Sequence, residues 1–151
     1  MFNTELLKNL QQRTADLYTY LEIEQKEIEI QNEEETAASP EFWNNPKEAE
    51  LFMKTLRSKK KWVDEYKAIE TAVNDLEVLT EFNREGDVSD EEVEEQYQTT
   101  LKIIEDIEFK NMLSEEGAYL WLAINAQTKV AIVKIANGEQ VEDYTQASEN
   151  V

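Results

Sequence analysis

Ser39-Pro40-Glu41-Phe42-Trp43-Asn44-Asn45-Pro46-Lys47-Glu48 decides how this chain folds, because it holds two overlapping helix starts. Ser39 can cap a helix whose first residue is Pro40. Asn45 can cap a second one that opens with Pro46 and carries Glu48 three residues after the cap. Proline loses nothing at a first helical position, since an N–H there has no intrahelical acceptor. The stretch therefore separates two helices. Phe42 and Trp43 are expected to be buried where those helices meet, closing the end of a bundle.

On the N-terminal side, residues 4–35 read as one long helix without Pro or Gly. Leu7, Leu10, Leu17, Leu21 and Ile28 recur at steps of three, four or seven and share a face, with Thr14 and Glu24 interrupting the stripe. At 1.5 Å per residue the helix would be on the order of 45 Å long, which calls for an elongated bundle. It ends in Glu33-Glu34-Glu35, charge that a helix C-terminus disfavours.

On the C-terminal side a second helix is expected over residues 46–83. Phe52, Leu56, Val63, Tyr66, Ile69, Val73, Leu76 and Leu79 form its seam, and Lys59 is the one polar interruption. Gly86-Asp87 breaks the pattern, and Ser89-Asp90-Glu91-Glu92 is a capping box that starts a third helix reaching about Leu113. Val93, Tyr97, Leu101, Ile104 and Ile107 share a face of it. The expected fold is mostly α, an elongated antiparallel three-helix bundle with neighbours crossing near 20°.

After Ser114-Glu115-Glu116-Gly117 the pattern changes. Residues 119–124, 130–136 and 139–144 read as three short strands, a C-terminal β-meander turning at Asn137-Gly138. A helix over 120–136 is the alternative, and 146–151 read as disordered. Residues 1–113 are thus one domain and 114–151 a divergent tail. A sheet of three short strands cannot bury both faces by itself. It must lie on the helices or on another chain, which makes Tyr119, Trp121 and Ile132 candidates for self-association as a homodimer through the tail.

Lys and Arg total 15 against 34 Asp and Glu, a net charge of −19. That argues against DNA, a general nucleic-acid role or an anionic membrane as partner, since phosphates need clustered cations. With no Cys and no His there are no disulfides, thiolate nucleophiles, Cys/His zinc sites or imidazole catalysis. Gly86, Gly117 and Gly138 are the only glycines, so no Gly-rich phosphate loop can be drawn. No apolar run is long enough to cross a bilayer, and the opening residues lack a signal-peptide layout. A soluble cytoplasmic chain without cofactor or metal is expected.

Asp90, Glu91, Glu92, Glu94 and Glu95 could suggest a cation site, but they spread along a helix start where carboxylates favour the dipole. Arg57, Lys59, Lys60 and Lys61 are the concentrated cations. They would either touch RNA or an acidic protein, or balance the acidic first and third helices through Glu–Lys pairs. Ser39, Ser58, Ser89 and Ser114 have no histidine to activate them. No enzyme is expected.

Several segments together resemble a known family. Arg13-Thr14-Ala15-Asp16-Leu17 followed by Tyr20-Leu21 looks like the opening helix of bacterial peptide chain release factor 2, a class I release factor. The junction from Ser39 through Pro46-Lys47-Glu48-Ala49 resembles that family's Pro-x-Phe-Trp and x-Pro-x-x-Ala signature. Lys60-Lys61-Trp62 and Glu108-Phe109-Lys110-Asn111-Met112-Leu113 fit its second and third helices, and Tyr119-Leu120 through Ile124-Asn125-Ala126 resembles the strand that opens its next domain. The likeness covers residues 10–126 and departs at Gln127-Thr128-Lys129.

The resemblance implies the family's N-terminal helical domain, which in whole factors reaches toward the stalk base of the large ribosomal subunit. The family's codon-reading Ser-Pro-Phe loop is absent, since Ser39-Pro40-Glu41-Phe42 is a helix start. Its Gly-Gly-Gln loop is absent too, because no two glycines are adjacent. No catalytic residue carries over. The implied function is that of a truncated release-factor-like protein, a non-catalytic module docking on the ribosome. Arg57, Lys59, Lys60 and Lys61 would make any rRNA contact, although a basic ribosomal protein better suits the acidic surface. The alternatives are a self-associating structural protein and a non-functional gene relic.

Overall fold

A computed structural model describes residues 1–114, 118–123 and 130–135. The helices are α1 (Thr4–Tyr20), α2 (Ile23–Ala37), α3 (Pro46–Glu85) and α4 (Asp90–Ser114), with a 3-10 turn at Pro40–Asn44 between α2 and α3. Strands β1 (Ala118–Ala123) and β2 (Val130–Ile135) follow. The chain divides into two compact units, Met1–Ile107 and the residues from Glu108 onward.

Each junction has a local cause. Asn3 Oδ1 accepts the Leu6 N–H at 3.0 Å to start α1. At the other end of α3, Gly86 sits at φ 88°, where a Cβ would be strained. Its N–H reaches the Asn83 carbonyl and the Asp87 N–H reaches that of Phe82, which satisfies the last carbonyls of the helix. The capping box of α4 forms: Ser89 Oγ accepts the Glu92 N–H at 3.3 Å while Glu92 Oε2 accepts the Ser89 N–H at 3.0 Å.

The first expected helix is two. Leu21 ends α1, and Glu22 takes a left-handed conformation, φ 51° and ψ 48°, before α2 begins. Lys26 Nζ donates to the freed Leu21 carbonyl. The break resets the helical phase, so Leu21 and Ile23 are both buried and Ile30 packs against the core, while Glu24 and Ile28 face solvent. The apolar stripe expected through Ile28 is therefore corrected: a seven-residue step from Leu21 leads outward once Glu22 has turned the chain. The helical body has four helices in place of three.

One apolar core runs through the first unit. It joins Leu7, Leu10, Leu17, Leu21 and Ile23 to Val63, Tyr66, Ile69, Val73 and Leu76 of α3, and to Val93, Tyr97, Ile104 and Ile107 of α4. Buried Thr14, Thr80 and Thr100 sit in this seam because each hydroxyl donates at 2.8 Å to the carbonyl four residues earlier. Leu56 and Ala49, nearer the start of α3, are buried but stand apart from that cluster. There α2 and α3 form a two-helix arm. Among the described residues, no helix is long and apolar enough to cross a membrane.

Beyond Glu108, β1 and β2 pair antiparallel, with register running from Ala118 opposite Ile135 to Ala123 opposite Val130. Residues 124–129 and 136, within the stretch where strands and a helix were both open, lie outside the described residues. The expected third strand at 139–144 and the turn at Asn137-Gly138 lie outside the described residues.

Candidate functional site

The α3 helix of the arm begins at the junction over residues 39–48. Asn45 Oδ1 accepts the Glu48 N–H at 3.5 Å, and Pro46 takes the first helical position. Ser39 makes no side-chain cap, so Pro40–Asn44 stays a single 3-10 turn. Phe42 stacks edge-on against Trp43 and Phe52, with ring centroids 5.0 and 4.9 Å apart. Trp43 itself is 54% exposed, contrary to its expected burial, because its indole N–H turns to the Ala37 carbonyl at 3.1 Å and caps the end of α2.

The cations of α3 divide into two sets. Lys59 lies between two carboxylates of α2, with Nζ 2.8 Å from Glu33 Oε1 and 3.0 Å from Glu29 Oε2. Hydrogen bonds donated to Glu33 and then Glu29 raise the Lys59 pKa above its usual value of 10.5. The Glu29 carboxyl is held below its usual range, first by the Gln25 amide and then by Lys59. Lys60 pairs with Glu34, and Lys67 pairs with Glu27 at 3.2 Å. Glu33 Oε2 is buried without a hydrogen-bond partner.

Arg57 and Lys61 are exposed and form no ion pair among the described residues. The expected cluster Arg57, Lys59, Lys60 and Lys61 is therefore not one surface. Lys59 and Lys60 turn toward α2, and Arg57 and Lys61 turn away. Lys47 and Lys54, which the sequence reading passed over, are exposed on the same side as Lys61. Their signal was present: Lys47, Lys54 and Lys61 each precede a buried residue, Ala49, Leu56 and Val63, by two positions. Two positions are about 200° of helical rotation, so the lysines stand nearly opposite the packed seam.

Three carboxylates of the acidic run at the start of α4 have local partners. Asp90 Oδ1 accepts from Asn83 at 2.8 Å, Glu92 closes the capping box, and Glu94 accepts from Gln98 at 3.0 Å and from the Phe2 N–H. Glu92 and Glu94 both have lowered pKa values, Glu92 chiefly through the Ser89 N–H and Glu94 chiefly through the Gln98 amide. An open groove between α2 and α3 is lined by Glu27, Glu34, Lys60 and Lys67, whose charges are already matched across it. Of the self-association candidates, Trp121 and Ile132 are register partners and Tyr119 stands opposite Lys134.

The sequence is similar to that of known proteins. The PCRF domain matches residues 7–139, and so extends past Ala126, where the sequence resemblance stopped. Peptide chain release factor 2 of Nautilia profundicola is 31% identical over 146 residues, 93% of this chain and 37% of that protein. Its counterpart in Staphylococcus aureus strain COL is 28% identical over 147 residues, 93% of this chain and 38% of that protein. That of Streptomyces avermitilis is 28% identical over 115 residues, 75% of this chain and 31% of that protein. The matches span between 31% and 38% of the length of these relatives. With most of its residues matched by one family model, the chain belongs to the PCRF domain family.

Proposed function

We propose that this chain is a non-catalytic docking module of translation termination, a cytoplasmic release-factor-type helical domain that binds the ribosome near the stalk base. Family membership over residues 7–139 carries the proposal, together with relatives that are peptide chain release factors. None of the 151 residues forms a pair of adjacent glycines. The hydrolytic chemistry that the resemblance attaches to a Gly-Gly-Gln loop therefore has no counterpart in them.

Electrostatics favours a basic ribosomal protein as the docking partner. Net charge is −19, and on α2 Glu24 and Glu35 are exposed and form no ion pair among the described residues, beyond the four glutamates that pair with α3. Such a surface attracts a basic protein and repels rRNA. Lys59 and Lys60, spent on α2 carboxylates, are poor phosphate ligands. Co-sedimentation with ribosomes at low and at moderate salt tests the proposal. Association that weakens with salt is expected, and none at either concentration removes the docking role.

A second reading is self-association through the tail. Among the described residues the sheet has only two strands, and an isolated hairpin is marginally stable in water. A third strand at 139–144 completing the meander, or a second copy, would supply the missing contact. Light scattering decides: a strict monomer at high concentration, unchanged on deleting residues 118–151, ends this reading.

A further inference from the structure

We propose that the outer face of the α2–α3 arm, marked by Lys47, Lys54, Arg57 and Lys61, is a docking site for an acidic amphipathic helix of a partner protein. This surface is separate from the acidic one assigned to ribosome docking. The observation behind it is the sorting of charge on α3. Cations facing α2 are matched by Glu27, Glu29, Glu33 and Glu34. Those facing away are exposed and have no ion pair among the described residues. In a chain with more than twice as many acids as bases, a row of unmatched cations is a feature that chance pairing would have removed.

Geometry selects the partner. Lys47, Lys54 and Lys61 repeat every seven residues, so their axial spacing is about 10.5 Å, and Arg57 falls between the last two. A second helix lying alongside presents carboxylates at the same spacing when they too recur every seven residues, as charged flanks do in paired helices. Leu51, 67% exposed, lies between Lys47 and Lys54 and offers an apolar anchor. Glu50, seven residues before Arg57, lies among these cations and is also exposed.

Width argues against a nucleic-acid duplex. Glu50 and Asp64 are exposed beside these cations on α3, within a Debye length of about 8 Å at physiological salt. A single helix can place its carboxylates on the lysines alone, whereas a duplex would bring phosphates against these acids as well. The occupant that fits is slim and acidic.

The test uses the full chain and two labelled probes at low salt. One is a synthetic helical peptide of roughly 22 residues with glutamates every seventh position and a leucine on the same face. The other is a short RNA duplex. Fluorescence anisotropy should show the peptide bound and the duplex bound more weakly. K54E/K61E should weaken peptide binding by about tenfold or more, and K54Q/K61Q by less. K8E/K102E changes net charge equally but leaves the row intact, so it should bind as the parent does. Circular dichroism confirms that the variants remain helical. The proposal is overturned if the peptide does not bind, if the duplex binds more tightly, or if both charge-reversed variants lose binding equally.

Discussion

Lys59 Nζ stands 2.8 Å from Glu33 Oε1, bridging α3 to α2 outside the main apolar core. With buried Leu56 and the pairs Lys60–Glu34 and Lys67–Glu27, this bridge joins the two helices of the arm.

Lys59→Met should loosen the arm. The loss is about 1 kcal/mol at low salt, reduced as salt screens the part-exposed pair. Hydrogen exchange should show it, with faster exchange in α2 near Glu33 and unchanged protection near Leu10. Because the folded pKa of Lys59 is raised, its contribution is fully present at neutral pH and disappears as pH rises above 10.5. Equal exchange in the two proteins would contradict the assignment.

Glu92→Ala removes half of the capping box. The Glu92 carboxyl is depressed in the folded state by the Ser89 N–H, so its stabilisation is fully present above its unfolded value near 4.5 and fades as pH falls through the folded one. The stability difference between parent and variant should therefore be constant from neutral pH to about 5 and close in acid. Urea titrations at successive pH values measure it, and a gap that widens in acid would contradict the sign.

Glu22→Gly should stabilise the chain. A residue other than Gly or Asn in the left-handed region costs about 1 kcal/mol, and Glu22 is exposed, so little packing is lost. Gly carries its own entropic cost in the unfolded state, which limits the gain to several tenths of a kcal/mol. Thermal unfolding measures the shift, and a large destabilisation would mean that the break is held by the Glu22 side chain.

Ile104→Ala should cost about 2–4 kcal/mol, the usual penalty for truncating a fully buried aliphatic side chain. The substitution tests whether α4 shares one core with α1 and α3. Arg57→Ala, on an exposed position, should change stability by less than about 0.5 kcal/mol. Urea midpoints that ranked these two variants in the opposite order would break the core assignment.

Much of the architecture was legible in local chemistry. The starts at Asn45-Pro46 and Ser89, the stop at Gly86 and the seams of α3 and α4 each follow from a cap, a left-handed glycine or a seven-residue apolar step. These depend on neighbours within one or two turns, so the order of residues suffices. Glu22 was not legible, since nothing in its side chain favours the left-handed region. Only packing of Leu21 and Ile23 into the same core makes that turn worth its strain. The division among the basic residues of α3 was likewise invisible as a run of letters. Which of them meets a carboxylate depends on where α2 lies across the arm, and that is a tertiary relation fixed by the packing of two helices.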